Sequence, residues 1–257
     1  REFRQFLQKN DIRDYPVHIK IDTGMHRLGF FGHEMEELAE GLKGGLFRVV
    51  SVFSHLAGSD EKIHDEFTRQ QISQFTTAAL TLKELISGDF LMHILNSSGI
   101  ERFPDAQMDM VRLGIGLYGV SENYPDQLQE VNTFKTSISQ VRVLDKGITV
   151  GYGRKEMMKS KSTIATIPVG YADGLPRILG NGKGCFLIAG NRVPTVGNIC
   201  MDMCMIDITG IDAKEGDEVV IFGREHPVKI LALAADTISY EILTGISERV
   251  KRIYYQE

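Results

Sequence analysis

The sequence predicts an α/β unit followed by a separate β-rich domain. Three observations carry that prediction. Strand-like apolar runs alternate with helical stretches over residues 1 to about 120, each run ends in polar residues, and beyond Ser121-Glu122-Asn123-Tyr124-Pro125 the pattern changes to short runs broken by glycine. Strands separated by helices imply parallel β/α units with both sheet faces covered. Polar residues gathered at the carboxyl ends of parallel strands mark the active face of a barrel or an open α/β sheet.

Val17 to Asp22 is the first expected strand, with apolar residues at every second position. His33 to Lys43 reads as a helix with Met35, Leu38 and Leu42 on one face. Phe47 to Phe53 is an apolar, β-branched run and reads as a buried strand. Asp60 to Ile86 is a long helical stretch with Asp60 placed as its N-cap. Leu91 to Leu95 is the third strand and Met108 to Arg112 the fourth. The polar strand ends are Asp22-Thr23-Gly24, Ser54-His55, Asn96-Ser97-Ser98 and Arg112.

In the later part, β-rich runs are expected at Ser137 to Leu144, Ser162 to Val169, Cys185 to Ile188, Met201 to Ile208 and Glu218 to Phe222. Asp145-Lys146-Gly147, Ala189-Gly190-Asn191 and Glu215-Gly216-Asp217 read as turns between them. Ala232 to Lys251 reads as helical.

Composition narrows the function. Over 257 residues, 42% are hydrophobic and 25% charged, the balance of a folded soluble protein. A net charge of −5 argues against a nucleic-acid role, since such domains carry a basic surface. No apolar run approaches the ~18 residues of a membrane span, and the start, Arg1-Glu2-Phe3-Arg4-Gln5, has no signal-peptide pattern. Cys185, Cys200 and Cys204 are odd in number and unpaired in spacing, which fits buried thiols in a reducing cytoplasm. His18, His26, His64 and His93 show no metal-ligand spacing and read as surface or core residues, so no metal site is expected.

Val111-Arg112-Leu113-Gly114-Ile115-Gly116-Leu117-Tyr118 is the most informative stretch. It reads as a strand end, a glycine-rich turn and the first turn of a helix. Two glycines let a phosphate approach the backbone, and the amides of a helix start point at that anion. Arg112 would stand beside the phosphate as a fixed cation. A turn built for packing alone fits the same residues.

The order of motifs then becomes specific. Lys20 through Gly29 (KIDTGMHRLG) resembles the arginine-bearing loop of alanine racemases, and Ser54-His55-Leu56-Ala57 is similar to their histidine strand end. Asn96-Ser97-Ser98-Gly99 and Val111 through Gly119 resemble their cofactor-phosphate segments. Val150-Gly151-Tyr152-Gly153 and Val169 through Gly174 resemble the tyrosine segments of their β domain. Gly197 through Met203 and Ser239-Tyr240-Glu241 complete a match that covers nearly the whole chain in order.

The resemblance implies an N-terminal (β/α)8 TIM barrel, a C-terminal β domain, pyridoxal 5′-phosphate (PLP), L- and D-alanine as substrates, and a homodimer with shared active sites. One departure accompanies it: the family's Schiff-base lysine lies in a first-strand segment that nothing in this sequence matches. A full barrel takes roughly 250 residues, and about 120 precede the β domain. Residues 1–125 are therefore expected to be the last four barrel units and 126–257 the β-rich domain. The first half-barrel, the lysine and one phosphate-binding tyrosine are expected to be lacking. A half-barrel has an open sheet edge and an uncovered face, so stable folding is expected to need the other half.

Site roles follow from the resemblance. Tyr152 would act as one base, in the partner's site, opposite the lysine. A free phenol has a pKa of about 10 and needs nearby positive charge or hydrogen bonds for that work. Arg112 would face the pyridine nitrogen of PLP and leave it unprotonated, since guanidinium pKa values lie above about 12. His55 would bridge Arg112 and the partner's Tyr152. Arg27 would orient Tyr152 and hold the substrate carboxylate, with the backbone N–H of Met201. Ser97, Gly114, Ile115 and Tyr240 would hold the phosphate, with Asn96 in support. Tyr171 and Asp202 would line the substrate entrance. Lys20 matches a family lysine that is often carbamylated. The residues taken alone also fit plainer roles: a strand tyrosine in a Gly-Tyr-Gly bend, a salt-bridged Arg112, a structural His55, an exposed Arg27, a Lys20 paired to Asp22 or another acid, and Met201, Met203 and Met205 packed on one side of a strand. The functional expectation is an alanine racemase supplying D-alanine for peptidoglycan, represented by a portion inactive alone. A non-catalytic dimerisation remnant and a barrel-type PLP amino-acid decarboxylase are the alternatives.

Overall fold

The computed structural model describes residues 2 to 255, apart from the side chain of Asp126; the outer domain bounds at 1 and 257 lie outside the described residues. The chain divides into two compact units, Arg1–Leu128 and Gln129–Glu257.

In the first unit, α1 (Glu2–Lys9) precedes β1 (Tyr15–Lys20), α2 (Met35–Leu42), β2 (Phe47–Phe53), α3 (Asp65–Ile86), β3 (Leu91–His93) and α4 (Ser97–Arg102). The sheet order is β1-β2-β3, all parallel. Helix α3 repeats Phe75, Ala78, Ala79 and Leu82 at helical spacing, and that face is buried with Ile19, Ile21, Val52, Ile94 and Leu95 of the sheet side. It stops at Ser87, a left-handed residue at φ 48°.

Two expectations for this unit are corrected. Asp60 does not cap α3. The chain from Gly58 folds back through two turns, Glu61 N–H to Gly58 O and His64 N–H to Glu61 O, and the helix starts only at Asp65. Asp65 and Glu66 in its first turn favour the positive end of the helix dipole. Met108 to Arg112 is not a strand. Met108 adopts φ 52°, and the Asp109 carboxylate takes the Met92 N–H at 2.7 Å, where a strand would present a carbonyl. The segment still runs beside β3, donating Asp109 N–H to Met92 O and Arg112 N–H to Leu95 O.

The second unit holds β4 (Phe134–Ser137), β5 (Gln140–Leu144), β6 (Thr149–Val150), β7 (Glu156–Met157), β8 (Ser162–Ile167), β9 (Cys185–Ile188), β10 (Asn191–Val196), β11 (Cys204–Asp207) and β12 (Glu218–Phe222), then α5 (Val228–Ala234) and α6 (Ser239–Gly245). Seven strands form one antiparallel sheet in the order β4-β12-β9-β10-β11-β8-β5, and β6 pairs with β7. The expected single run from Ser137 to Leu144 splits. Ile138 N–H bonds Asp217 O and Ser139 N–H bonds Thr166 O, so adjacent residues serve opposite ends of the sheet. Met201 and Met203 lie outside β11, in a turn closed by Cys200 N–H to Met203 O, and so do not pack beside Met205 on a strand. The expected helix from Ala232 to Lys251 is two short helices, interrupted at Asp236 with φ 56°. No described helix is long and apolar enough to cross a membrane.

Phe75 is fully buried in the first unit's core. Phe75→Ala is expected to destabilise that unit by about 3–5 kcal/mol, measured as a shift of its urea midpoint. A change below about 1 kcal/mol would contradict the packing described.

Candidate functional site

Parallel strands deliver their carboxyl ends to one edge of a sheet, and the first unit collects its polar groups there. Arg112 is the centre. Its Nη1 reaches His93 Nδ1 at 2.6 Å and His93 O at 3.3 Å. Its Nη2 reaches Ser54 O at 2.6 Å and Ile94 O at 3.1 Å, with His55 Nδ1 at 3.4 Å. The guanidinium also lies over the Phe53 ring, 5.3 Å from its centroid. A guanidinium carries five N–H donors. The four on Nη1 and Nη2 have acceptors, and among the described residues only Nε–H has none recorded.

Burial and Arg112 together set the protonation of the neighbouring histidines. Burial, then Arg112, then His18 push the His93 imidazole down to about 4. Burial, Arg112, Arg27 and Lys20 also lower His55, so both rings are held neutral. Since guanidinium only donates, the nitrogen each imidazole turns to Arg112 carries a lone pair, and the proton sits on Nε2.

The glycine turn lies two residues on. Ser97 Oγ, buried at the head of α4, accepts the N–H of Gly114 at 3.0 Å and of Gly116 at 3.3 Å. Ile115 opens a single turn of 3-10 helix, and its N–H has no recorded partner among the described residues. A Cβ at Gly114 or Gly116 would lie within 3.7 Å of the Ser97 hydroxyl, and one at Gly116 would meet Leu113 Cδ1 at 2.7 Å. Asn96 caps α4 by accepting Gly99 N–H at 2.9 Å and receives the Ser59 hydroxyl on the same oxygen. Clustered amides and a hydroxyl make a cradle for an oxyanion.

Two buried side chains hold the loops around this centre. Gln71 of α3 accepts Ala57 N–H at 2.9 Å and donates to Thr23 Oγ1 and His55 O, both at 3.2 Å. Asp22 Oδ1 accepts the N–H of Gly24 and His26, each at 3.0 Å, and shapes the loop that carries the exposed Arg27. Burial works to raise the Asp22 carboxyl, but those two amides with His26 and Lys20 outweigh it and hold it low. No ion pair joins Lys20 to Asp22 among the described residues; Asp22 faces His26 Nδ1 at 3.7 Å instead.

The remaining sequence-predicted residues belong to the second unit. Tyr152 is 72% exposed between Gly151 and Gly153, which adopt φ 74° and 73°, and its carbonyl accepts Asn198 Nδ2 at 2.9 Å. Tyr171 N–H donates to Cys200 O and Ala172 N–H to Met201 O, so the loops bearing Tyr171, Met201 and Asp202 are stitched together. Gly170 permits this approach, since a Cβ there would stand 2.4 Å from Cys200 O. Met201, Asp202 and Tyr240 are exposed. Sequence reasoning assigned no role to His93, Ser51 or Gln71. Their signal was a polar residue on an otherwise buried strand or helix face. Among the described residues no cluster of His, Cys, Asp or Glu could hold a metal ion.

Two family models match the chain: "Alanine racemase, N-terminal domain" over residues 1–122 and "Alanine racemase, C-terminal domain" over 131–254. Alanine racemase 2 of Caldanaerobacter subterraneus is 40% identical over 255 residues, covering 93% of this chain and 64% of the relative. The chain thus spans a little under two thirds of that protein's length. The alanine racemase of Streptomyces coelicolor superposes with a TM-score of 0.92 at 32% identity, over 100% of this chain and 70% of that one. The Bartonella henselae alanine racemase, whose structure has covalently bound pyridoxal phosphate, gives 0.87 at 34% identity, over 99% and 70%.

Burial and Arg112 push the His93 imidazole down to about 4 in the folded chain, against about 6.5 for an unperturbed one. Its contribution is therefore fully present above pH 6.5 and is lost as pH falls toward 4, because the unfolded chain gains a proton the folded one does not. An NMR titration of its imidazole is expected to show a midpoint of about 4; a midpoint near 6.5 would contradict the contact with Arg112.

Proposed function

This chain belongs to the alanine racemase family, and from that premise we propose that its two units form the PLP-binding and β-domain parts of an enzyme that interconverts L- and D-alanine. The observation that carries the reading is the state of Arg112, whose Nε–H, without an acceptor among the described residues, belongs to a residue two positions before the Ser97–Gly114–Ile115–Gly116 cradle.

The residues fit the cofactor's two ends. The Ile115 amide, with the Ser97 hydroxyl that anchors the Gly114 and Gly116 amides, suits a phosphate, with Asn96 in support. Arg112 Nε–H suits an unprotonated pyridine nitrogen. When bound, PLP supplies an electron sink for the α-carbanion. Arg112 keeps that sink moderate, because a guanidinium gives up no proton to the ring, and this favours proton return over transamination.

Tyr152 is the proposed base on one face, serving the site of a second copy in a homodimer. The tautomer of His55 suits this role: its Nδ1 faces Arg112, so Nε2–H is the group left to donate to the phenol oxygen. Arg27 holds the substrate carboxylate by a charge-assisted bond, and the Met201 N–H is a further proposed donor to it. Tyr171 and Asp202 restrict side-chain size at the entrance. Lys20 places positive charge near His55, and its carbamylation would turn it toward Arg27 instead. The units correspond to the later strands of a (β/α)8 barrel and the domain after it. The enzyme is cytoplasmic and supplies D-alanine for the cell wall.

The full-length protein with PLP is expected to equilibrate L- and D-alanine and to release no carbon dioxide. Tyr152→Phe is expected to lower kcat/KM by about 10²–10⁴. Carbon dioxide release without racemisation, or an unimpaired Tyr152→Phe enzyme, would overturn the reading. Ser97→Ala is expected to weaken PLP binding about tenfold or more, read by absorbance titration; unchanged affinity would exclude the cradle.

A further inference from the structure

A hydrogen-bonded chain runs beneath Arg112 across all three strands. Ser51 lies on β2, the central strand, and is 1% exposed. Its Oγ is 2.6 Å from His18 Nδ1 on β1 and 3.0 Å from His93 Nε2 on β3. His93 in turn meets Arg112 through Nδ1 at 2.6 Å and stacks on Phe53 at 5.2 Å with the rings 3° apart.

The proton positions in this chain follow from its end. Arginine has no acceptor, so His93 Nδ1 must accept and Nε2 must carry the hydrogen. That hydrogen points to Ser51 Oγ, and the Ser51 hydroxyl passes its own to His18 Nδ1. The opposite tautomer of His93 would set two donors face to face at the Arg112 contact. Without the Ser51 hydroxyl, a buried Nε2–H would lose its recorded acceptor among the described residues, at a cost that favours tautomer exchange or ring movement.

We propose that Ser51, backed by His18, is a positioning residue that locks His93 in its Nε2–H tautomer and so keeps Nη1 of Arg112 engaged, leaving Nε–H for the ligand. The final clause rests on the proposed function, whereas the tautomer lock does not. Ser51 acts through two intermediaries and touches no reacting atom.

The test uses full-length holoenzyme labelled with 15N, read by two-bond 1H–15N correlation of the histidine rings beside racemase kinetics. In the wild type, His93 is expected as a pure Nε2–H tautomer with its midpoint near 4. Ser51→Ala is expected to mix the tautomers of His93, with kcat down about tenfold and KM for alanine nearly unchanged. Ser51→Thr, which keeps the hydroxyl, should restore both signals. If Ser51→Ala does not fold, Ser51→Cys, a near-isostere with a weak acceptor, should move His93 in the same direction. An unchanged His93 tautomer in the folded Ala or Cys variant overturns the proposal whatever the activity. An altered tautomer in a protein whose wild type racemises nothing supports the lock and refutes the functional reading.

Discussion

Placing a permanent cation against the ends of parallel strands constrains everything around it. A guanidinium taken out of water must find acceptors for its N–H groups, and Arg112 finds them in backbone carbonyls rather than in a carboxylate. Ser54 O belongs to the segment leaving β2, and His93 O and Ile94 O to the end of β3. The cation therefore ties two strand ends together and fixes where the following loops begin. It also dictates that any imidazole beside it be neutral and turn a lone pair to it, which His93 and His55 do. One positive group thus sets hydrogen-bond direction through its neighbourhood.

The loops that leave those strand ends are fixed by side chains that touch no proposed ligand. The Gln71 amide reaches backbone of the β2 loop and the Thr23 hydroxyl of the β1 loop, so helix α3 holds both at once. Its two donors and its acceptor are used in one orientation, which makes this a satisfied buried network rather than a loose contact. Asp22 does the same locally for the Arg27 loop through two amides. The glycine turn after Arg112 is held by a single hydroxyl, Ser97, which leaves its central amide without a partner among the described residues. Rigid elements thus carry the chemistry while short polar bridges aim it.

What could be read from sequence depended on how local the cause was. Phe47–Phe53, Cys185–Ile188 and Glu218–Phe222 stand as expected because each is a short apolar run closed by turn residues. The fourth strand failed because one side chain, Asp109, occupies a ladder position, which no periodicity records. The break at Ile138-Ser139 lies in a switch of partners across the sheet, also invisible to a local pattern. Strand β10 was hidden by Asn191 and Pro194, residues that ordinarily signal turns and edges. For the site, glycine spacing and polar strand ends pointed to Arg112, Ser97 and Gly114. His93, Ser51 and Gln71 act through contacts 14 to 48 residues away in sequence. A polar residue on a buried strand is the only trace such contacts leave.

The central claim is that Arg112 presents one N–H and no transferable proton to the cofactor ring. Its most direct test is the 15N shift of the pyridine nitrogen in full-length protein loaded with ring-labelled PLP. The account predicts an unprotonated, hydrogen-bonded pyridine whose shift stays constant across the neutral pH range. A pyridinium shift, or a nitrogen that titrates in that range, would contradict it.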